Sequence, residues 1–434
     1  MDMRFLDRNR GTFARATPPI GSHSMTSRRH FAVIAPPTPG HLNPLQALGA
    51  ELTSLGHRVT FVHQADVAPL VDQARINFAP LSEAVDEEQS LARYNAVLAD
   101  PTGFVGLTRM VGATAKMSER LLHHAPAVVS RIGADAVIAD SAEPAGALVA
   151  RRLGLPFAVS VTGLPLLGEV DVPPPYLGWR YRPDALGRFR NRGGYAVSDR
   201  LMRPVTDTLE RYRTAWDLPP GPSDARAYVA QCPPSLDYPR KRLPPNFHYG
   251  SPWRGPQPPD VDLPGDDRPL IFCSLGTLQG SRRGLFATMS AACAMIGARA
   301  VIGHGGGLDT AEAAGLPGDP LVRAFWPQEG VLRRCAAAIL HGGFNSTLDA
   351  LAAGVPIVAL PIAFEQPGTA ARLRWLGAGE IVSPRFVTVN SLAARLTRVV
   401  SDPAYRRAAA RLSGEMESAG GAAGAAARID QAFG

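Results

Sequence analysis

The sequence predicts an α/β protein built from two doubly wound halves that face each other across a cleft. Three observations predict it. Short apolar runs alternate with stretches whose apolar residues recur at helical spacing. That alternation starts twice, at Phe31 and again at Leu270, with a proline-dense stretch between the two starts. A glycine turn, His341-Gly342-Gly343, stands between an apolar run and a helix N-terminus. Sheets of this kind bind ligands at the carboxyl ends of their strands.

Phe31 to Ala35 reads as the first buried strand. Asn43 is the expected helix cap, with Pro44 at the first helical position. Leu45, Leu48, Leu52 and Leu55 then keep helical spacing until Gly56. Arg58 to His63 is the second strand. Helical patterns cover Glu88 to Ala99 and Phe104 to His123. The strand Ala136 to Asp140, the helix Ala145 to Leu153 and the strand Phe157 to Val161 follow. From Leu164 to Trp216 the periodicity weakens and arginines gather near Tyr176, Trp179, Tyr181 and Phe189. That stretch reads as a mobile segment: a solvated loop, an acceptor lid, or a surface that meets membrane headgroups. The second half has strands at Leu270–Ser274, Arg299–Gly303, Leu321–Phe325, Ala336–Leu340 and Ile357–Leu360. Its helices fall at Leu285–Ile296, Glu329–Arg334, Thr369–Leu376, Leu392–Val400 and beyond Pro403, with the Ala/Gly tail after Gly420-Gly421 packing back or fraying. The expected organisation is a disordered leader (1–25), with Met25 a candidate start, an N-terminal acceptor domain (26–232), a proline-rich linker (233–268) and a C-terminal nucleotide-sugar domain (269–434).

The chain has 434 residues, enough for two ordinary domains. Its apolar content of 45% and charged content of 19% describe a globular protein. The net charge of +7 is carried almost wholly by arginine, since Lys116 and Lys241 are the only lysines. The excess reflects genome composition or attraction to anionic substrates or membrane surfaces. The arginines are dispersed and no aromatic-basic motif repeats, which argues against nucleic acid. Four cysteines without a CxxC pair argue against zinc and disulfides and fit a cytoplasmic location. No stretch has the length of apolar residues that spans a bilayer, and the leader lacks the apolar core of a secretory signal.

The glycine turn carries the chemistry. Ala336–Leu340 ends in His341-Gly342-Gly343, and Asn345-Ser346-Thr347 opens the helix that Gly354 stops. Free backbone N–H groups and the helix dipole favour an anion there. His341, Asn345, Ser346 and Thr347 can donate to phosphate oxygens. Asp349, one turn on, suits ribose hydroxyls, and Glu365-Gln366 suits sugar hydroxyls. An ordinary βαβ unit with a capped helix is the bland alternative for the turn taken alone. His41 and Asp140 fall at the strand ends of the first half, and Thr277, Phe325 and His341 at those of the second.

HGGFNSTLDALAAGVP, preceded by WPQEGVL and followed by PIAFEQ, resembles the donor signature of the UDP-dependent family 1 glycosyltransferases. FAVIAPP, SLGTLQGSRRGLF and LPIAFEQPGTAARL are similar to the bacterial zeaxanthin glucosyltransferase branch of that family. The resemblance runs from about Phe31 to the C-terminus. It implies the GT-B fold of two Rossmann-like domains and an inverting, metal-independent transfer from UDP-glucose. The implied acceptor is the terminal hydroxyl of a hydrophobic alcohol such as a hydroxylated carotenoid. His41 matches the general base and Asp140 the acid that orients it. Ser274, Gly276 and Thr277 match the turn near the diphosphate. His341, Gly343, Asn345 and Ser346 match the phosphate loop, Asp349 the ribose position, and Glu365 and Gln366 the sugar pair. Phe325, ahead of Gln328, takes the place where the family has a tryptophan that stacks on uracil. Asp349 stands where the family usually has Glu.

Placed before a helix N-terminus, His41 is expected to stay neutral, because the positive end of the dipole disfavours imidazolium. Asp140 would fix its tautomer. Phe104, Leu107, Met110, Leu164, Leu166, Leu167 and Tyr176 are candidates for an apolar acceptor channel or for core. Asp260-Val261-Asp262 resembles a metal motif but lies in the linker, and no metal or cofactor is expected. The alternatives are another hydrophobic acceptor (polyketide, sterol or flavonoid-like), a sugar-nucleotide epimerase, or a non-catalytic sugar-nucleotide-binding protein.

Overall fold

The computed structural model describes residues 28–84, 87, 90–101, 103–220, 224–256, 261–263 and 267–434. The expected leader and Asp260 lie outside them. The first half consists of β1 (His30–Ile34), α1 (Pro39–Ser54), β2 (Arg58–His63), β3 (Asn77–Pro80), α2 (Leu91–Ala99), α3 (Gly103–Arg131), β4 (Ala136–Asp140), α4 (Ala145–Arg152), β5 (Phe157–Val161), α5 (Ala185–Ala215), β6 (Ala227–Ala230) and β7 (Phe247–His248). The second consists of β8 (Leu270–Ser274), α6 (Arg283–Met295), β9 (Arg299–Gly303), α7 (Thr310–Ala314), β10 (Leu321–Arg323), α8 (Gln328–Leu332), β11 (Cys335–Leu340), α9 (Phe344–Ala352), β12 (Ile357–Ala359), α10 (Gln366–Leu376), β13 (Gly379–Ile381), α11 (Val389–Ser401), α12 (Pro403–Glu417) and α13 (Gly421–Phe433).

Each half is a parallel sheet. The first has the order β3-β2-β1-β4-β5-β6-β7 and the second β10-β9-β8-β11-β12-β13. The pleat buries every residue of β1, β4 and β5, as expected where helices cover both faces of a parallel sheet. In the first sheet the strand order reverses between β1 and β4, and in the second between β8 and β11. Those reversals open the crevices where such sheets take ligands.

Four expectations are corrected. First, α1 starts at Pro39 with Thr38 as its cap residue, so Asn43 caps nothing and Pro44 lies inside the helix. Pro44 has no N–H to give Gly40 four residues back. That carbonyl instead accepts from Asn345 Nδ2, across the cleft. The helix survives because a distant side chain replaces the missing donor. Second, the stretch read as mobile contains α5, 31 residues long. Asp184 starts it by accepting from Gly187 N at 2.7 Å. Its arginines sit outside, while Asn191, Gly194, Val205 and Thr208 pack inward, a stripe too polar for the apolar periodicity to reveal.

Third, the expected linker is largely built into the fold. β7 is an edge strand of the first sheet. Asp237, Tyr238 and Trp253 are buried at 1% exposure each, so this stretch is core rather than spacer. Asp237 receives Arg240 at 2.5 Å and Arg372 of α10 at 2.8 Å, which pins the connection to the second domain. Fourth, α13 leaves the second domain and packs on the first. His57 Nε2 meets Asp430 at 3.0 Å, and the rings of Phe31 and Phe433 meet edge to face at 5.1 Å. Ala422, Ala426, Ile429 and Phe433 join the core formed by β1, β2 and α1. The chain therefore crosses between the domains twice.

Candidate active site

His41 is the third residue of α1, and its amide bonds back to Thr38 O at 3.0 Å. Asp140 ends β4, the neighbour of β1 at the switch point. His41 Nδ1 lies 3.2 Å from Asp140 Oδ1 and 2.7 Å from Thr162 Oγ1. The Thr162 hydroxyl donates to Asp140 Oδ2 at 2.7 Å, Ser160 Oγ to the same oxygen at 3.1 Å, and Ala142 N to Oδ1 at 2.9 Å. With its hydroxyl proton given to Asp140, Thr162 can only accept from His41. Nδ1 then carries the imidazole proton and Nε2 is left as the basic lone pair.

The charge balance at His41 differs from the sequence expectation. Burial opposes imidazolium, but Asp140, helped by Glu365 and Glu143, outweighs it and holds the pKa above the ordinary value. A carboxylate in contact is a stronger field than one helix terminus. Glu143 is buried beneath the dyad, accepts from Ser118 Oγ at 2.7 Å, and is pushed up by burial to about 7.

The glycine turn after β11 lines the same cavity as His41. His341 follows β11, and burial pushes its pKa down to about 4, so its ring is neutral at pH 7. Its Nδ1 is buried and turned away from solvent beside the Ser274 backbone. Two glycines flank the ring. A Cβ on Gly276 would come within 2.8 Å of His341 Cε1, and one on Gly343 within 2.2 Å of Nε2. Ser274 Oγ accepts from Gly276 N at 3.2 Å and shapes the turn that carries Thr277.

Asp349 accepts from Arg254 Nε at 2.6 Å and from Gln328 Nε2 at 2.5 Å. Gln328 Oε1 lies 3.4 Å from Ser346 Oγ. Arg254 also reaches the Asn345 carbonyl at 3.3 Å, and Gln231 Nε2 donates to Asn345 Oδ1 at 2.8 Å. Asn345 therefore joins three parts of the chain: α9, the end of β6 and the start of α1. Gln366 Oε1 accepts from the amides of Ile362 and Ala363 at 2.8 and 2.9 Å and so ties the loop that presents Glu365. Phe364, next in that loop, has φ of 54°, a left-handed conformation uncommon for a residue other than glycine.

One cavity of about 880 Å³ collects these groups. Its walls include His41 and every expected donor-site residue: Ser274, Gly276, Thr277, Phe325, Gln328, His341, Gly343, Asn345, Ser346, Asp349, Glu365 and Gln366. Asp140 stands behind His41, outside the wall. Phe325 is 67% exposed at the rim, while Trp326 is anchored by its Nε1 to Ile302 O at 2.9 Å. Of the seven apolar candidates, Met110, Leu164, Leu166 and Tyr176 line the first-domain side. Phe104, Leu107 and Leu167 do not, and Phe104 is 76% exposed. Sequence reasoning missed Thr162, Glu143, Gln231 and Arg254. Thr162 sits one residue past a recognised strand end and was findable by that rule. Gln231 follows a strand that went unrecognised, and Arg254 lies in the supposed linker.

The chain resembles known proteins over nearly its whole length. Residues 308–429 match a family model described as Erythromycin biosynthesis protein CIII-like, C-terminal domain. The zeaxanthin glucosyltransferase of Pseudescherichia vulneris is 37% identical over 93% of this chain and 98% of its own length. The chain belongs to the family 1 glycosyltransferases. This glycosyltransferase is also 34% identical to the zeaxanthin glucosyltransferase of Pantoea ananas, over 93% of this chain and 95% of that one. Its fold is the two-domain GT-B fold. The crystal structure of the kitacinnamycin glycotransferase matches with a TM-score of 0.74 at 20% identity, covering 94% of this chain and 100% of that one. SnogD from Streptomyces nogalater matches with a TM-score of 0.68 at 23% identity, covering 93% and 99%.

Proposed function

We propose that this glycosyltransferase moves glucose from UDP-glucose to a terminal hydroxyl of a carotenoid such as zeaxanthin, with inversion at the anomeric carbon. The observation that carries the reading is the opposed pair of sites in one cavity. His41, whose Nδ1 is taken by Asp140, shares the cavity with a neutral His341 and the N-terminus of α9. The 37% identity to a zeaxanthin glucosyltransferase supports the acceptor.

In this reading the acceptor hydroxyl lies against His41 and the sugar between the two domains. The acceptor oxygen forms a bond to the anomeric carbon as the bond to the β-phosphate oxygen breaks. The hydroxyl proton passes to His41 Nε2. Asp140 and Thr162 hold the ring and balance the imidazolium that forms. UDP leaves with its charge met by His341, the Gly342–Gly343 turn and the α9 amides, without a divalent metal. Asp349 and Gln328 take the ribose, Phe325 the uracil, and Glu365 and Gln366 the sugar hydroxyls. The apolar side chains of Met110, Val111, Leu164 and Met202 suit a long hydrocarbon acceptor. Zeaxanthin has a hydroxyl at each end, so two successive transfers are expected.

The test is a product assay with UDP-glucose and detergent-solubilised zeaxanthin. Wild type should give mono- and diglucosides, and His41→Ala should lose roughly a hundredfold or more of the rate. Glucosides made equally well by the variant would remove His41 as base. UDP release with another alcohol but none with zeaxanthin would reassign the acceptor.

A further inference from the structure

We infer that the outer face made by the start of α3 and the first half of α5 docks on an anionic lipid bilayer, with the acceptor side of the cavity opening beside it. Phe104 and Val105 of α3 are 76% and 67% exposed. Leu186, Phe189 and Val197 of α5 are 59%, 73% and 69% exposed. The two helices run side by side in the same direction. Val111 and Ala115 pack with Leu201, Met202 and Val205, and Glu119 pairs with Arg211 at 2.9 Å. That register brings Val105 level with Val197. Leu186, Phe189 and Val197 recur at helical spacing on one side of α5, so they form one stripe, and Phe104 and Val105 extend it beside its Val197 end.

Charge selects the partner. Between Arg180 and Arg203 the chain has seven arginines and two carboxylates, Asp184 and Asp199. Asp184 is engaged by Arg182 at 2.8 Å and by the Gly187 amide. Arg192, Arg200 and Arg203 are exposed on the helix that carries the apolar stripe. Apolar side chains surrounded by arginine match an acyl boundary beneath anionic headgroups. Among the described residues no helix is long and apolar enough to cross a membrane, so the contact is with the surface.

Continuity with the site gives the contact a purpose. Met110 of α3 and Met202 of α5 both line the cavity. Each lies five residues beyond the patch, counted from Val105 and Val197, or about 8 Å along a helix. An apolar acceptor leaving a bilayer at the patch therefore meets the cavity wall without crossing open water. This purpose rests on the hydrophobic acceptor proposed above; the docking itself does not.

The experiment is vesicle co-sedimentation of the full chain. It compares phosphatidylcholine vesicles containing phosphatidylglycerol with phosphatidylcholine alone. Wild type should bind the anionic vesicles, and added salt should weaken the binding. Arg192→Glu with Arg200→Glu should reduce the partition coefficient by at least fivefold for each arginine. Phe189→Ser with Val197→Ser should reduce it further. All variants should keep the wild-type Tm and the wild-type rate on a water-soluble alcohol. Failure to bind either vesicle, equal binding to both, or unchanged binding by the variants overturns the docking face. A concentration-dependent dimer that the Phe189→Ser, Val197→Ser variant dissolves, without vesicle binding, would make the patch a self-interface and also overturn it. Vesicle binding without carotenoid glucosylation would leave the docking standing and refute only the acceptor.

Discussion

Replacing Gly343 by Ala tests the packing that places His341. The new Cβ would sit 2.2 Å from Nε2 and 2.6 Å from Cε1, both well inside the 3.4 Å of ordinary contact. Gly276 crowds the same two ring atoms, since a Cβ there would come within 2.8 Å of Cε1 and 2.9 Å of Nε2, so the ring has little slack in its present place. His341 is buried, so solvent offers no alternative place. The imidazole must therefore move by about 1 Å, a misplacement that costs roughly a hundredfold when it affects a group held against the reacting atoms. Overpacking adds about 1–3 kcal/mol of destabilisation, or a few degrees of Tm. The assay is kcat/KM for UDP-glucose at saturating acceptor, with thermal unfolding as the control for folding. His341→Ala alone should cost about 10–100-fold, the worth of one hydrogen bond to a charged group. In the double variant the alanine at 343 has nothing to strike, so it should add no more than about twofold. Gly343→Ala at the wild-type rate, or single effects that multiply in the double variant, would refute the reasoning.

Asp140→Asn should lower kcat and move the rising limb of the pH profile of kcat/KM to lower pH. In the proposed mechanism His41 must be neutral to act, and Asp140 is the chief group raising its pKa against burial; a limb that stays in place would detach the two residues. Asp237→Ala leaves Arg240 and Arg372 buried without their carboxylate. It should cost about 3–5 kcal/mol in thermal or denaturant unfolding, and a loss under about 1 kcal/mol would show that the pair is already solvated. Arg254→Met removes the partner of Asp349 and a contact to the Asn345 carbonyl. UDP affinity measured by calorimetry should fall about tenfold or more, whereas unchanged affinity would make Arg254 a spectator.

Much was legible in the sequence because local signals are short-range. Five-residue apolar runs, the glycine turn and the residues at strand ends carry their own periodicity and chemistry. The two parallel sheets, with His41 at the edge of the first and His341, Asn345 and Glu365 at the edge of the second, followed from those signals. The family resemblance added the roles. What failed to show was long-range. α5 hides a polar buried stripe beneath an arginine surface, so its pattern looked like loop. The 233–268 stretch is rich in proline yet contains a sheet-edge strand and a buried ion cluster, because burial depends on what arrives from elsewhere in the chain.

The sequence by itself determined the fold class and put the glycine turn, His41 and Asp140 at the ends of strands, while the pairing of His41 with Asp140 came from the family resemblance. Tertiary structure alone decided which way the His41 pKa moves, because only the fold brings Asp140, Glu365 and Glu143 around one imidazole. It alone decided that α1 continues through Pro44, because the carbonyl freed by proline is satisfied by Asn345 from the other domain. And it alone placed α13 on the first domain, since helical periodicity fixes which face of a helix is apolar but not which core that face will cover.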